Sequence, residues 1–600
     1  MKDSSAIFLI AATMLTAGAA TPDGEALYKQ RCGICHDTKG QARMPTREEI
    51  SQRTPEFVYR AMFEGPMMVQ SAGISGEEGR AIARFLTGKE FSTAVAEIGG
   101  KCPGAPGPVR ITDSGWNGWG NDPANTRYQP KPGLTAADVP KLKLKWAFGF
   151  AGEIVRSAQP TVIGDRVFVG SSSGEIYSLD AARGCVYWRY DAGATVRTAI
   201  SVGKVAGRSG LVAYFGDTRS YVHAVDAASG KALWKVQVED HPSSRITGAP
   251  AFYNGRLYVP VSSIEEATSM MPSYECCKFR GSVVALDGAT GKQIWKSFSV
   301  TDPPKPYKSA KGAQQWGPAG AAIWSSPTID VKKKVLYAAT GNSYTDVSVN
   351  TSNAILAFDL ETGSLLWASQ VLPKDNFTMG CGRGANCPSE PGPDLDFGSS
   401  PILRELPGGK RVLVAGQKAG ILWGLDPDQR GKVLWQTRLG KGSALGGIEW
   451  GHSADEQNAY AAISDLLGGL PGLKPGGIHA VKLDTGEKIW STPAPELHCA
   501  PGSRGCTGAQ SAAISSMPGV VFSGSVDGHF RAYSTKTGEI IWDFNTVQDF
   551  ETVNRVPGKG GSIDSAGPTI ANGMVFTNSG YGQWQGLPGN VLLAFSVDGK

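Results

Sequence analysis

From about residue 140 onward, short apolar runs alternate with the same polar turn. "YSLDAARGCVYW" ends at Trp188, "HAVDAASGKALW" at Trp234, "VALDGATGKQIW" at Trp295 and "LAFDLETGSLLW" at Trp367. "WGLDPDQRGKVLW" follows at Trp435, "HAVKLDTGEKIW" at Trp490 and "RAYSTKTGEIIW" at Trp542. Each reads as an apolar strand, an aspartate, a tight turn with glycine at positive φ, and a second strand closed by tryptophan. Lys482 and Ser534 replace the aspartate in the last two copies. Long-period repetition of strand-rich sequence predicts a propeller. An eighth copy begins at "LAFSVDGK", and a tryptophan strand for it is available upstream in "LKLKWAFGF", around Trp146. Joining the two in one blade closes the ring and leaves no sheet edge unpaired. The expected fold is therefore an all-β eight-bladed propeller over residues 115–600.

The front of the chain follows a helical pattern. "DGEALYKQRC" and "TPEFVYRAMFEG" read as two helices, the second stopped by Gly65-Pro66. "SGEEGRAIARFLTG" reads as a third, with Ser75 and Glu78 as a capping box and Gly88 at its end. The first helix leads into "RCGICHD". C-x-x-C-H attaches c-type haem: the thiols of Cys32 and Cys35 add across the vinyl groups and His36 lies under the iron. A zinc site would require a second ligand pair nearby and a thioredoxin site a βαβ frame, and neither is visible. Covalent haem on three small helices resembles class I cytochrome c. That family places a methionine across the iron in the loop before the last helix. The matching loop is "GPMMVQSAG", with Met67 as the expected ligand and Met68 as the alternative. A thioether ligand raises the haem potential, which suits an electron acceptor. The expected domains are a signal peptide over 1–20, a small all-α cytochrome c domain over 21–95, a linker over 96–114 and the propeller.

Composition narrows the setting. A chain of 600 residues exceeds one ordinary core. The net charge of +5 is small for this length and no Lys/Arg run stands out, so nucleic acid is not an expected partner. "MKDSSAIFLIAATMLTAGAATPDG" reads as a secretory signal cleaved near Ala19 or Ala20. No later segment is apolar and long enough to cross a bilayer, so stable membrane insertion is not expected and the mature chain belongs in the periplasm. Disulfides persist there. Besides the haem pair the chain has Cys102, Cys185, Cys276, Cys277, Cys381, Cys387, Cys499 and Cys506. "CGRGANC" and "CAPGSRGC" read as small closed loops, leaving Cys102 for Cys185. The adjacent Cys276 and Cys277 either bond by distorting the peptide between them or stay as free thiols.

The aspartate–turn–Gly–Trp repeat, with "GWGNDPANTRYQP" ahead of it, resembles the eight-bladed alcohol dehydrogenases that use pyrroloquinoline quinone (PQQ). Scaffold proteins of outer-membrane assembly share such repeats without the cofactor, so the loops between blades carry the distinction. The resemblance implies that Trp324 in "AAIWSSPTID" stacks on the quinone. It implies Ca²⁺ held by Asn342 in "AATGNSYTD", by Asp396 and by Glu266 in "SSIEE", with Glu265 one register step away. Oxygen ligands suit this cation. Asp396 in "PGPDLDFGSSP" is the implied base and Asp394 its fallback. Gly398 stands where lanthanide-using relatives carry a second aspartate, which favours calcium. Lys418 matches a basic residue beside the quinone oxygens and Arg197 an arginine for the cofactor carboxylates. Thr247, Glu449, Trp450 and Gln510 match edge contacts, Glu449 standing where relatives often have asparagine. In close relatives an adjacent-cysteine ring packs over the quinone from the second blade; here Cys276 and Cys277 fall in the third-blade segment.

The implied chemistry is alcohol oxidation, with electrons passing from PQQ to haem c and on to a soluble cytochrome c or another respiratory acceptor. Most haem-bearing relatives carry the cytochrome after the propeller. An amino-terminal cytochrome, with "SSIEE" and "ECCKFRGSVVALDGATG", resembles the polyvinyl alcohol dehydrogenase family. That resemblance implies oxidation of secondary hydroxyls on a polymer to ketones. The alternatives are the same cofactors acting on small primary or secondary alcohols, and a haem-bearing propeller scaffold without PQQ.

Overall fold

The computed structural model describes residues 22–600 apart from 38–45, 52, 64–66, 68–69, 72–73, 75, 92–98, 105, 152–157, 272, 310–311, 382–385, 467–473 and 500–502. The expected signal peptide, Gly65-Pro66, Ser75 and Met68 lie outside the described residues. The chain forms two compact units, Met1–Thr93 and Ala94–Lys600.

The first unit is helical. It contains α1 (Gly24–Arg31), α2 (Gly33–His36), α3 (Arg47–Ser51), α4 (Pro55–Phe63) and α5 (Gly76–Thr87). The Asp23 carboxylate caps α1, accepting from the backbone N–H groups of Glu25 and Ala26 at 3.0 and 3.1 Å. A Cβ at Gly24 would run into the Ala81 carbonyl oxygen, and one at Gly79 into the Phe63 ring. Glycine at these two positions lets α1 and α4 lie directly against α5. Tyr28, Val58, Met62, Ile82 and Leu86 fill the core they enclose. Three helices were expected. The structure adds α2, which is the Cys-x-x-Cys-His turn itself, and the short α3.

The second unit is a ring of eight antiparallel sheets, seven of four strands and one, the third, of five. The blades run over 161–191, 201–237, 251–298, 328–370, 402–438, 453–492, 515–545 and 569–597. The eighth is completed by Leu142–Gly149, which pairs antiparallel with Val591–Val597 and brings Trp146 opposite Ala594. The strand expected to close the ring from upstream therefore does so.

The repeated motif is a latch between neighbouring blades. Trp188 Nε1 of blade one donates to the Ala227 carbonyl of blade two at 3.1 Å, and Trp435 of blade five to Leu483 of blade six at 3.0 Å. Trp146 of the closing strand reaches Ala181 of blade one at 3.0 Å. Under every one of these tryptophan rings except Trp542 sits the next blade's turn glycine. At Gly291, with φ of 74°, a Cβ would lie 2.8 Å from the Trp234 ring. The aspartate caps the turn, as Asp226 Oδ1 does for the Ser229 N–H. Ser534 Oγ takes over that role for Lys536 and Thr537.

The stretch expected to link the domains is tied into the propeller. Lys101 bridges Val186 and Cys102 is bonded to Cys185, with Cα atoms 5.0 Å apart. Beyond it, residues 114–129 run along the starts of the inner strands. Their backbone and side chains bond Val162, Val202, Ile329, Leu403, Ala454, Ser516 and Asn572, so this strap touches seven of the eight blades. Buried Arg127 anchors it, donating to the carbonyls of Ile514 and Trp119, to Gln159 Oε1 and to Ser515 Oγ. The expected disulfides Cys381–Cys387, Cys499–Cys506 and Cys276–Cys277 are all formed, the last across a cis peptide bond.

Candidate active site

Antiparallel pairing places the start of each blade's first strand and the end of its second at the same end of the ring. Nearly all of the expected site residues come from these two places. Arg197, Thr247, Trp324, Gly398, Glu449 and Ser511 each stand four residues ahead of an inner strand. Glu266, Asn342 and Lys418 stand just after second strands, Glu266 in α6 (Glu265–Thr268). Asp394 and Asp396 lie in the loop that enters blade five.

At the centre is Asp396. Trp324 Nε1 donates to its Oδ2 at 3.1 Å, and Lys418 Nζ lies 2.7 Å from its Oδ1. Lys418 also pairs with Asp394 Oδ1 at 3.1 Å and stands 5.4 Å above the Trp324 ring centroid. Burial works against the ammonium, but Asp394, Asp396 and Glu449 outweigh it and hold Lys418 well above the usual lysine range. Asp394 is pushed well up by burial, against the pull of Lys418.

The structure separates Glu266 from Glu265. Glu265 is fully engaged: Oε1 accepts from Tyr274 Oη and the Lys278 N–H at 2.7 Å each, and Oε2 from the Phe279 N–H at 2.9 Å. Its role is to fold the loop. Glu266 faces Lys418 and Asp396 instead; burial pushes it up to about 7, with Lys418 pulling down and Asp396 pushing further up. Asn342 is buried and donates Nδ2 to Asp375 Oδ2 at 2.8 Å, which turns its carbonyl oxygen away from Asp375. Asp375 was not singled out from sequence. It also accepts from the N–H groups of Asp394 and Leu395 at 2.9 and 2.8 Å, so one side chain fixes both Asn342 and the Asp396 loop. Glu266 and Asp396 act on each other and on Lys418, and Asn342 shares Asp375 with the Asp396 loop, so this end of the ring gathers oxygen donors with more buried carboxyls than Lys418 alone offsets. That chemistry fits a hard divalent cation.

A second cluster lies on the Trp450 side. Trp450 stands edge-on to Trp324 with centroids 5.3 Å apart, and the Arg197 guanidinium lies 4.6 Å over the Trp450 ring. Glu449, Trp450, Ser511, Asp564, Tyr581 and Trp584 line a cavity there. Trp450 and the Ser565 N–H hydrogen-bond Asp564, which burial nonetheless pushes up. A flat aromatic floor at Trp324 with an arginine beside it fits a planar, carboxylated cofactor.

The remaining expected contacts are Gln510, the cysteine pair and Thr247. Gln510 is five residues ahead of its strand, one step out of register. Its amide is engaged within the blades, accepting from the Gly477 N–H at 2.9 Å and donating to Ser523 Oγ at 2.8 Å. Ser511 takes the cavity position. Cys276 and Cys277 are buried in the apolar cluster shared by blades two and three, beside Phe279, Ala319, Ala322 and Tyr344. Thr247 is at the site, its Oγ1 3.0 Å from Ser262 Oγ and 3.3 Å from the Trp324 carbonyl.

In the first unit Cys32 and Cys35 are free and half-buried, while the other eight cysteines are all paired. His36 is buried at the last turn of α2. Met67 sits in the turn after α4, its N–H donating to the Ala61 carbonyl at 2.9 Å.

An eight-bladed ring of this kind is the fold of the solved quinohemoprotein alcohol dehydrogenases. The solved quinohemoprotein alcohol dehydrogenase ADHIIG of Pseudomonas putida HK5 superposes with a TM-score of 0.61 at 18% identity, covering 84% of this chain and 83% of its own. The repeat model described as outer membrane protein assembly factor BamB matches residues 113–449 and 474–600. The polyvinylalcohol dehydrogenase of a Pseudomonas species is 45% identical over 96% of this chain and 94% of its own length. That of Sphingopyxis sp. strain 113P3 is 42% identical over 98% and 96%. The chain belongs to the polyvinyl alcohol dehydrogenase family and is an alcohol dehydrogenase.

Proposed function

We propose that this protein is a periplasmic quinohaemoprotein that oxidises secondary hydroxyls of polyvinyl alcohol to ketones. The observation that carries the reading is Asp396, held between Trp324 Nε1 and Lys418 Nζ on an aromatic floor. PQQ, when bound, would supply a two-electron acceptor, and calcium would supply Lewis acidity. Asp396 accepts the hydroxyl proton of the substrate at a carboxylate oxygen. Trp324 provides the flat surface and keeps Asp396 oriented through its indole N–H. Lys418 supplies positive charge beside that carboxylate, and Arg197 and Thr247 position the cofactor edge. Glu266, Asn342 and Asp396 would hold the metal, with Asp375 fixing the last two.

The first unit is read as a cytochrome c domain. Cys32 and Cys35, kept free of one another, would carry the haem, and His36 and Met67 would hold its iron. Haem supplies one-electron capacity between the site and an external acceptor such as a soluble cytochrome c. The fully paired remaining cysteines support an oxidising compartment, in keeping with export through the first 20 residues. Among the described residues no helix is long and apolar enough to cross a membrane.

The test is reconstitution of the full chain with PQQ and Ca²⁺, followed by the haem spectrum as alcohols are added. Polyvinyl alcohol is expected to reduce the haem faster than short alcohols at equal hydroxyl concentration. Faster reduction by short alcohols would reassign the substrate, and an unchanged spectrum with every alcohol would overturn the reading.

A further inference from the structure

The Trp450 side of the site brings two carboxyls, Glu449 and Asp564, to one guanidinium, Arg197. The cofactor of the proposed function is itself a tricarboxylate, so a further ionised carboxylate at its edge is electrostatically wrong. Resting on that reading, we propose that Glu449 receives the cofactor as a neutral acid and donates a hydrogen bond to it.

Three features of the structure carry this. Glu449 is buried, and its Oε2 has no hydrogen-bond partner although it lines the cavity. A buried ionised oxygen without a donor is costly, whereas a protonated one is a donor awaiting an acceptor. The charges that face it do not favour ionisation enough: Lys418 and Arg197 act from one side, Asp564 and Asp396 from the other, and Tyr581 is a neutral phenol. Burial pushes Glu449 up to about 8, past the pull of both cations. A neutral carboxylic acid presents both a donor and an acceptor, as the asparagine that relatives often have at this position does. The glutamate thus preserves the polarity of an amide only while it holds its proton.

The consequence is linkage between cofactor affinity and pH. Below about pH 8 the acid is already neutral in the free protein, so affinity is flat. Above that, binding must take up a proton, and Kd rises by up to about tenfold per pH unit.

The experiment titrates PQQ into the full haem-bearing chain freed of quinone, at fixed Ca²⁺, between about pH 6 and 10. Quenching of tryptophan fluorescence reports binding, and calorimetry at about pH 9 in buffers of different ionisation enthalpy counts protons. The parent is expected to take up about one proton there and to lose affinity with rising pH. Glu449→Gln is expected to take up none, to bind within about threefold of the parent at pH 7, and to keep that affinity at high pH. Glu449→Asn provides a second neutral variant with the same expectation. A parent whose affinity ignores pH overturns the inference. So does a tenfold loss in both variants at pH 7, because the group then binds as an anion. No quenching at any pH overturns the cofactor reading beneath it and this inference together, whereas quenching without pH dependence overturns the inference alone.

Discussion

In the proposed function turnover rests on Asp396, and its two partners, Trp324 and Lys418, fix what a substitution does. Asp396→Asn keeps the shape and an acceptor oxygen for Trp324 but cannot take a proton. It is expected to lower kcat by about 10²–10⁴-fold with the haem spectrum of the resting protein unchanged; steady-state assay with the reconstituted enzyme measures it. His452 makes a different kind of claim. It is buried, donates Nε2–H to the Val414 carbonyl at 3.1 Å, and has no partner at Nδ1. Burial lowers it to about 4, with Arg127 adding to the effect. The unfolded chain therefore binds the proton first, at about 6.5. Stability is full above that pH and falls by up to about 1.4 kcal/mol per unit as pH drops toward 4. Denaturant titrations across this range should show a shallower slope for His452→Gln by about that amount. Site residues were legible where a loop motif named them, as with Trp324, Asn342 and Lys418. Asp375 was not, because a lone aspartate in an irregular loop carries no signal of what it will bind. Ser511 was missed for want of register, since counting four back from each inner strand finds it, whereas Asp564 stands five ahead of its strand and that count passes over it.

At the level of elements, the repeat was readable and its purpose was not. Aspartate, glycine and tryptophan mark one hairpin in sequence, yet the glycine and the tryptophan serve different blades. The ring of Trp234 covers Gly291 of the following blade, and the indole N–H reaches the Gly288 carbonyl there. Gly291→Ala meets both a left-handed backbone and the ring, and should cost about 1–3 kcal/mol. Gly255 has φ of 78° but open space around it, so Gly255→Ala should cost only the backbone part. Urea unfolding of the two variants checks the difference. The helical unit was read in outline: α1, α4 and α5 follow from caps and apolar spacing, whereas α2 and α3 are too short to leave a periodic trace.

Across the whole molecule, closure was the most legible feature, because one repeat lacked its tryptophan and one upstream strand had a spare. The strap was not, since residues 114–129 hold their place by backbone bonds to seven blades and by buried Arg127. Such bonds belong to no local pattern. Ring integrity should depend on the shared sheet. A chain cut before Val591 strands Leu142–Gly149 without its neighbour and is expected to be degraded rapidly by limited proteolysis, where the full chain resists.

That shared sheet also sets a timetable for biosynthesis. Leu142–Gly149 leaves the ribosome early, bearing Trp146 and Phe148, but its mate at Val591–Val597 is made more than four hundred residues later. Until then blade one can cover Trp146 and Phe148, but the edge of the segment that will pair with Val591–Val597 stays open. The nascent polypeptide must be kept from sticking to others for almost the entire time it takes to translate the wheel.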